Sequence, residues 1–186
     1  MRKSSILAFV LAAIAVSTAL AAKPGGVWLD VPYIHQEKDG CGSASLAMLL
    51  QYWQAKNATF PAGRSDPMQI QRELLSPKAN GIYASAMVSY LNDSGFAAYT
   101  FRGDWTDLRE HLAKGRPLIV TLKPTRSSDL HYVVVVGIDW ENGAIFLNDP
   151  ARTKLLRLDR DTFLNDWRAA GFWTLLAVPR PAHPVT

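Results

Sequence analysis

The first half of the chain has apolar residues at helical spacing. Residues 43–55 carry them every three to four positions, which predicts a helix. Asp66 before Pro67 predicts a second helix, since Asp caps a helix start and Pro suits the first turn. Two more helices are predicted at 83–92 and 105–114, ended by the glycines that follow them.

The apolar pattern of the second half favours strands. Strands are predicted at 117–123, 131–139, 144–148 and 155–158, with an Asn-Gly turn between the second and third. A last helix is predicted at 160–170 and a last strand at 172–178, and a short strand at 27–33 precedes the first helix. Helices segregated from an antiparallel sheet define an α+β fold class.

The N-terminus has the pattern of a secretory signal. Arg2 and Lys3 precede an apolar run over 6–16, and small residues lead to Ala21 and Ala22. A retained membrane anchor is the alternative, but the run falls short of the roughly 20 apolar residues of a span. We predict a signal peptide at 1–22, one domain at 23–180 and a loose tail at 181–186. The protein is therefore expected to be exported, either periplasmic or secreted.

Charge points to no special partner. The sequence has 20 Lys and Arg residues against 16 Asp and Glu residues, and loss of Arg2 and Lys3 would leave 18 against 16. Because the basic residues are scattered, no nucleic-acid partner is expected. We expect a monomer with no stable membrane insertion after signal cleavage, since no later apolar stretch is long enough to span.

Cys41 is the single cysteine of the sequence. A buried apolar cysteine and an intermolecular disulfide are its ordinary interpretations. An unpaired thiol in an oxidising compartment is open to oxidation, which favours a reactive role. Cys41 lies where the first helix begins, and a helix N-terminus favours the nucleophilic thiolate. Gly40 and Gly42 would leave room for a substrate backbone, or would simply make a tight turn.

A thiolate enzyme needs a proton carrier, and four histidines are available. His183 lies in the tail, His111 is predicted on a solvated helix face, and His35 lies close to Cys41 in sequence. His131 opens the most apolar strand and would be held rigidly there. Its ordinary interpretation is a hydrogen-bonded core residue, but a Cys/His pair distant in sequence is the arrangement of nucleophile and base.

Asp149 and Gln36 complete the candidate chemistry. The hairpin after the His131 strand would bring Asp149 back to His131, where its carboxylate would fix the imidazole. A turn-forming Asp before Pro is the ordinary interpretation, and Asp139 is a competitor at the far end of the strand. Gln36 lies shortly before Cys41, so its side-chain amide and the Cys41 N–H would form an oxyanion hole. Taken alone, it would be a surface glutamine.

These segments carry a family resemblance. They are Val31-Pro32-Tyr33 with Gln36 and the Cys41-Gly42-Ser43-Ala44-Ser45-Leu46-Ala47-Met48 run, His131-Tyr132-Val133-Val134-Val135, and Asn148-Asp149-Pro150-Ala151. Together, in this order, they resemble the C39 peptidases, the papain-like bacteriocin-processing peptidases and their standalone relatives. The resemblance implies a papain-like fold, with an N-terminal helical half that places the nucleophile at a helix N-terminus and a C-terminal antiparallel sheet.

The resemblance also implies peptide-bond cleavage by Cys41, His131 and Asp149. The best-known C39 peptidases cut leader peptides after a Gly-Gly pair and are fused to an export transporter, which is not recognisable in this sequence. We predict a thiol-dependent peptidase of secreted or periplasmic peptides or proteins, cutting after small residues such as Gly-Gly and needing no metal or cofactor.

Two alternatives remain open. One is a papain-like acyl-transfer enzyme or cell-wall amidase, which would use the same acyl-thioester. The other is a non-catalytic peptide-binding module, against which the complete Cys, His, Asp and Gln set argues.

Overall fold

The computed structural model describes residues 25–124 and 129–181. The predicted signal peptide at 1–22 and residues 182–186 of the predicted tail lie outside the described residues. Within the described part, the helices are α1 (Cys41–Ala55), α2 (Pro67–Leu74), α3 (Ala84–Asp93), α4 (Trp105–Ala113) and α5 (Arg160–Ala169). The strands are β1 (Gly26–Trp28), β2 (Phe96–Arg102), β3 (Leu118–Leu122), β4 (His131–Asp139), β5 (Ala144–Asn148), β6 (Leu156–Asp159) and β7 (Trp173–Pro179).

One antiparallel sheet joins all these strands. Its order is β2-β7-β3-β4-β5-β6, and β1 pairs with the far end of β4. Helices cover both faces, since one buried cluster joins α1, α2 and α3 to the sheet and another joins α4 and α5 to it. The central strand β4 is fully buried from Val133 to Val136, as expected of a strand covered on both faces.

Helix α1 lies at the centre of the first cluster. Residues 42–50 of this helix are all buried, so it lacks the solvated face that its sequence pattern predicts. Leu46 belongs to the same buried cluster as Val134 and Val136 of β4. Because such a leucine has no exposed surface, its truncation to alanine would cost about 2–5 kcal/mol. The helix that begins at Cys41 is therefore rigidly seated on the strand that begins at His131.

The predicted α+β class is confirmed, and most predicted elements lie within two residues of the observed ones. Strand β2 was not predicted. Its side chains are mostly half-buried or exposed, and it is defined by pairing with β7, which lies far along the chain. Strand β1 is shorter than predicted, because the chain leaves β4 before Pro32. The division into a helical half and a sheet half is therefore not strict.

Candidate active site

Cys41 is the first residue of α1 and is half-buried. No side chain caps this helix and no acidic residue occupies its first turn. The first N–H groups of the helix therefore keep their partial positive charge toward the thiol. Ser45, one turn further on, donates its hydroxyl to the carbonyl of Tyr132 at 3.3 Å, which ties the start of α1 to the start of β4.

The two glycines beside Cys41 serve packing. A Cβ on Gly40 would lie 2.9 Å from the carbonyl oxygen of Glu37, and one on Gly42 would lie 3.1 Å from the Cβ of Ile82. Both glycines are buried, and neither lines the groove described below. The small size of both glycines therefore admits neighbouring protein atoms.

His131 and Asp149 lie in hydrogen-bond contact. Nε2 of His131 donates to Oδ1 of Asp149 at 2.7 Å. The contact follows from the hairpin, since antiparallel strands place the start of β4 and the end of β5 at the same end of the sheet. The same carboxylate oxygen accepts the Ala151 N–H at 3.0 Å, and Arg152 lies 3.7 Å from the other oxygen.

Charge and burial act against each other at this pair. Burial lowers the pKa of His131, but hydrogen bonds with Asp149 and Cys41 and the charges of those groups raise it to about 9. Burial raises the pKa of Asp149, but the His131 hydrogen bond and charge, with the Ala151 N–H and Arg152, hold it below its ordinary value. With Nε2 occupied by Asp149, Nδ1 is the ring nitrogen left to face the thiol.

Gln36 lies beside Cys41 and lines the same groove. Its Oε1 is buried and has no hydrogen-bond partner in the described part of the chain. An unpaired buried oxygen costs free energy. The amide nitrogen is the other polar end of Gln36, and it is the donor that the predicted oxyanion hole requires.

A hydrogen-bonded clamp holds the chain before Cys41 against the loop that carries Asp149. Asn148 is fully buried and donates its amide to the carbonyls of Val31 at 3.1 Å and Pro32 at 3.3 Å. Its own oxygen accepts the N–H of Leu155 at 3.2 Å. Tyr33 adds a phenol hydrogen bond to the carbonyl of Asp149 at 3.2 Å. The clamp fixes the separation of Gln36 and Asp149.

The four candidate residues line one open groove of about 1200 Å³; they are Gln36, Cys41, His131 and Asp149. Its lining also includes residues 78–84 at the start of α3, the end of β3, β6 and one side of α5. Tyr132 also lines it, and burial, with the charge of Cys41, raises the pKa of its phenol to about 12.

The competing residues lie elsewhere. Asp139 caps the hairpin turn by accepting from Asn142 at 2.9 and 2.8 Å, and those bonds lower its pKa. His35 is exposed and lies 3.4 Å from the Tyr33 hydroxyl. His111 was expected on a solvated face but is half-buried against Phe101, which is a correction to the prediction. His183 lies outside the described residues.

Sequence reasoning gave no role to Asn148, Tyr33, Tyr132 or Arg152. Asn148 and Tyr132 each adjoin a candidate residue, but adjacency in sequence does not say which side chain is buried or what it contacts. Within the described ranges, no cluster of His, Cys, Asp and Glu is arranged to hold a metal ion. In the same part of the chain, no helix is long and apolar enough to cross a bilayer.

Residues 28–174 match the Peptidase_C39-like family, and the protein belongs to that family. The match includes every candidate residue named above and covers most of the sequence. No curated protein has significant sequence similarity to the chain.

Solved structures share the fold at low identity. A Bacillus anthracis protein described as a C39-like peptidase has 19% identity and a TM-score of 0.67, over 83% of this chain and 98% of that one. A double glycine motif protease from an AMS/PCAT transporter, solved with its leader peptide, has 22% identity and a TM-score of 0.61, over 83% and 95%. The peptidase domain of Streptococcus ComA, a bi-functional ABC transporter in quorum sensing, has 21% identity and a TM-score of 0.60, over 80% and 98%. These likenesses confirm the papain-like C39 fold.

Proposed function

We propose that this protein is a cysteine peptidase that uses Cys41 as nucleophile and His131 as base. One observation carries the proposal. His131 bonds through Nε2 to Asp149, and it shares one open groove with Cys41, which begins the buried helix α1 and helps to raise the His131 pKa. A nucleophile, a base and an orienting acid in hydrogen-bond sequence form the arrangement needed for acyl transfer.

In the first half of the reaction, the Cys41 sulfur attacks the substrate carbonyl carbon. The carbonyl electron pair moves to oxygen, and the side-chain N–H of Gln36 with the backbone N–H of Cys41 stabilises that oxyanion. When the intermediate collapses, the C–N bond breaks and His131 gives its proton to the leaving amine. Asp149 keeps the imidazole ring in one orientation throughout.

In the second half, water releases the acyl group. His131, now neutral, takes a proton from a water molecule whose oxygen attacks the thioester carbonyl. The C–S bond breaks, the carboxylic acid leaves, and the thiolate–imidazolium pair returns. Two easier steps thereby replace one difficult step.

We further propose that the substrate is a peptide or protein outside the cytoplasm, cut after small residues such as Gly-Gly. Two observations support this. The first residues have the pattern of a secretory signal, and a relative of the same fold is a double glycine motif protease. Edman sequencing of the protein from a fractionated producing cell tests the location, with a start near Ala21 or Ala22 expected. A start at Met1 in the membrane fraction would overturn it.

Peptide cleavage by the purified protein tests the activity. A pool of peptides from a Glu-specific digest is incubated with the protein, and new termini are identified by mass spectrometry. Cys41→Ser and His131→Ala are expected to abolish cleavage, because members of a catalytic unit fail together. Asp149→Ala is expected to be milder, and Asp139→Ala, outside the groove, serves as the matched control.

The same preparation is assayed with EDTA and, separately, with iodoacetamide. We expect cleavage to survive the chelator and to be lost with the alkylator. The opposite pattern would overturn the cysteine-peptidase mechanism. A thiol-sensitive amine acylation without hydrolysis would instead favour an acyl-transfer enzyme.

A further inference from the structure

The groove extends past His131 over residues of β3, β6 and α5, and we call this stretch the Asp166 pocket. Leu122 is the Cα partner of His131 across β3 and β4, so the two side chains share one face. The pocket beyond Leu122 is mostly apolar. Its lining residues are Leu122, Pro124, Leu156, Leu158, Thr162 and Asp166.

Asp166 is the acidic group of this pocket. It lies on α5 and is half-buried, and its backbone carbonyl accepts the N–H of Lys123 at 3.0 Å, which fixes the helix against the end of β3. Its carboxylate has no hydrogen bond or ion pair with any residue in 25–124 or 129–181. The carboxylate is therefore open to a partner from outside these residues.

The surrounding charges do not satisfy this carboxylate. Burial raises the pKa of Asp166, and Arg152 lowers it from a distance. Arg152 is largely exposed and its ion-pair contact is with Asp149, not with Asp166. A cation placed in the pocket would therefore gain an electrostatic partner without displacing an existing one.

A peptide side chain fits this pocket better than a metal ion. Ca²⁺ and Mg²⁺ need about six oxygen ligands, and the pocket offers one carboxylate and one hydroxyl. Lys and Arg combine an apolar stem with a cationic end, which matches leucine walls with a carboxylate. The Asp166 carbonyl is bonded to Lys123, the residue after the Leu122 that pairs with His131, so Asp166 lies near the end of the sheet that carries His131, within reach of a few residues of extended peptide.

We propose that the pocket around Asp166 is a specificity subsite for a lysine or arginine side chain of the peptide substrate. This inference rests on the proposed peptidase function, because it treats the groove as the peptide site. The preferred basic residue lies within about three residues of the bond that is cut.

Two readouts test the subsite. In the first, the cleavage sites from the Glu-specific peptide pool are aligned for the wild type, Asp166→Asn, Asp166→Lys and the matched control Asp161→Asn. Asp161 lies on the same helix but outside the groove. We expect Lys or Arg enriched at one fixed position for the wild type and Asp161→Asn, lost in Asp166→Asn, and replaced by Asp in Asp166→Lys.

The second readout is binding without cleavage. Cys41→Ala, alone and combined with Asp166→Asn, is titrated with N-acetylated peptides that differ only in Lys or norleucine at that position. If the wild type cleaves no peptide, that position is unknown. Lys or norleucine is then placed in turn at each position of a peptide of fixed length. Norleucine keeps the stem and removes the charge. We expect Lys to bind about tenfold more tightly, and the preference to vanish with Asp166→Asn.

The outcomes separate the two proposals. Cleavage without a basic preference, or with a preference that Asp166→Asn leaves unchanged, overturns the subsite and leaves the peptidase. Charge-dependent binding without cleavage by the wild type overturns the peptidase and leaves the subsite. Absence of both overturns both.

Discussion

The backbone N–H of Gln36 donates to the carbonyl oxygen of Pro150 at 2.9 Å. This bond joins Gln36, the residue proposed as the oxyanion donor, to the residue directly after Asp149. With the Asn148 and Tyr33 hydrogen bonds, it makes one rigid unit of two segments far apart in sequence. The geometry on both sides of the thiol therefore depends on a clamp that contains neither Cys41 nor His131.

Asn148→Asp is expected to destabilise the protein by about 2–4 kcal/mol, because a carboxylate would face the carbonyls of Val31 and Pro32 in a buried site. Urea unfolding at neutral pH measures the change. Asn165→Asp, on the exposed side of α5, is the matched control and should change stability little. Equal losses for the two variants would contradict the clamp.

Gln36→Ala is expected to lower kcat roughly 10²–10³-fold with little change in KM, because the donor acts on charge that develops in the tetrahedral intermediate. Steady-state kinetics on a peptide from the cleavage pool measures both. Glu37→Ala, at the next and exposed position, should retain activity. A rise in KM alone would make Gln36 a substrate-binding residue.

The pH dependence of stability should report on His131. Its pKa is about 9 when folded and about 6.5 when unfolded, so the folded state holds the extra proton between these values. The stabilisation is complete below about pH 6.5 and is lost as pH rises toward 9, by about 1.4 kcal/mol per pH unit.

Urea unfolding of the wild type and His131→Gln across this pH range tests the point. The advantage of the wild type should shrink steadily with rising pH, while contributions from groups that do not interact with His131 cancel between the two proteins. Parallel curves would show that His131 is not held protonated by Asp149 and Cys41.

Cys41 should react with iodoacetamide faster than a free model thiol. The protonated His131 and the uncapped N-terminus of α1 both favour the reactive thiolate. Mass spectrometry over time gives the rate, and His131→Gln should slow it. Because Cys41 is the one cysteine of the sequence, labelling elsewhere cannot obscure the result. A wild-type rate equal to that of glutathione would contradict activation.

The sequence by itself determined the features that depend on local spacing. Apolar periodicity predicted the helices, the Asn-Gly turn predicted the β4–β5 hairpin, and the hairpin predicted that Asp149 returns to His131. A hairpin of known register leaves little freedom in where its two ends meet. The position of Cys41 at a helix start followed from the same kind of local pattern.

The tertiary structure decided what depends on partners distant in sequence. Strand β2 exists because β7 pairs with it, and residues 42–50 of α1 are buried because the sheet and the neighbouring helices enclose them. Asn148 closes the clamp on carbonyls more than a hundred residues earlier. Asp166 reaches the groove because Lys123 holds α5 beside Leu122. Each of these contacts joins segments that local periodicity treats independently, so only the folded chain brings them together.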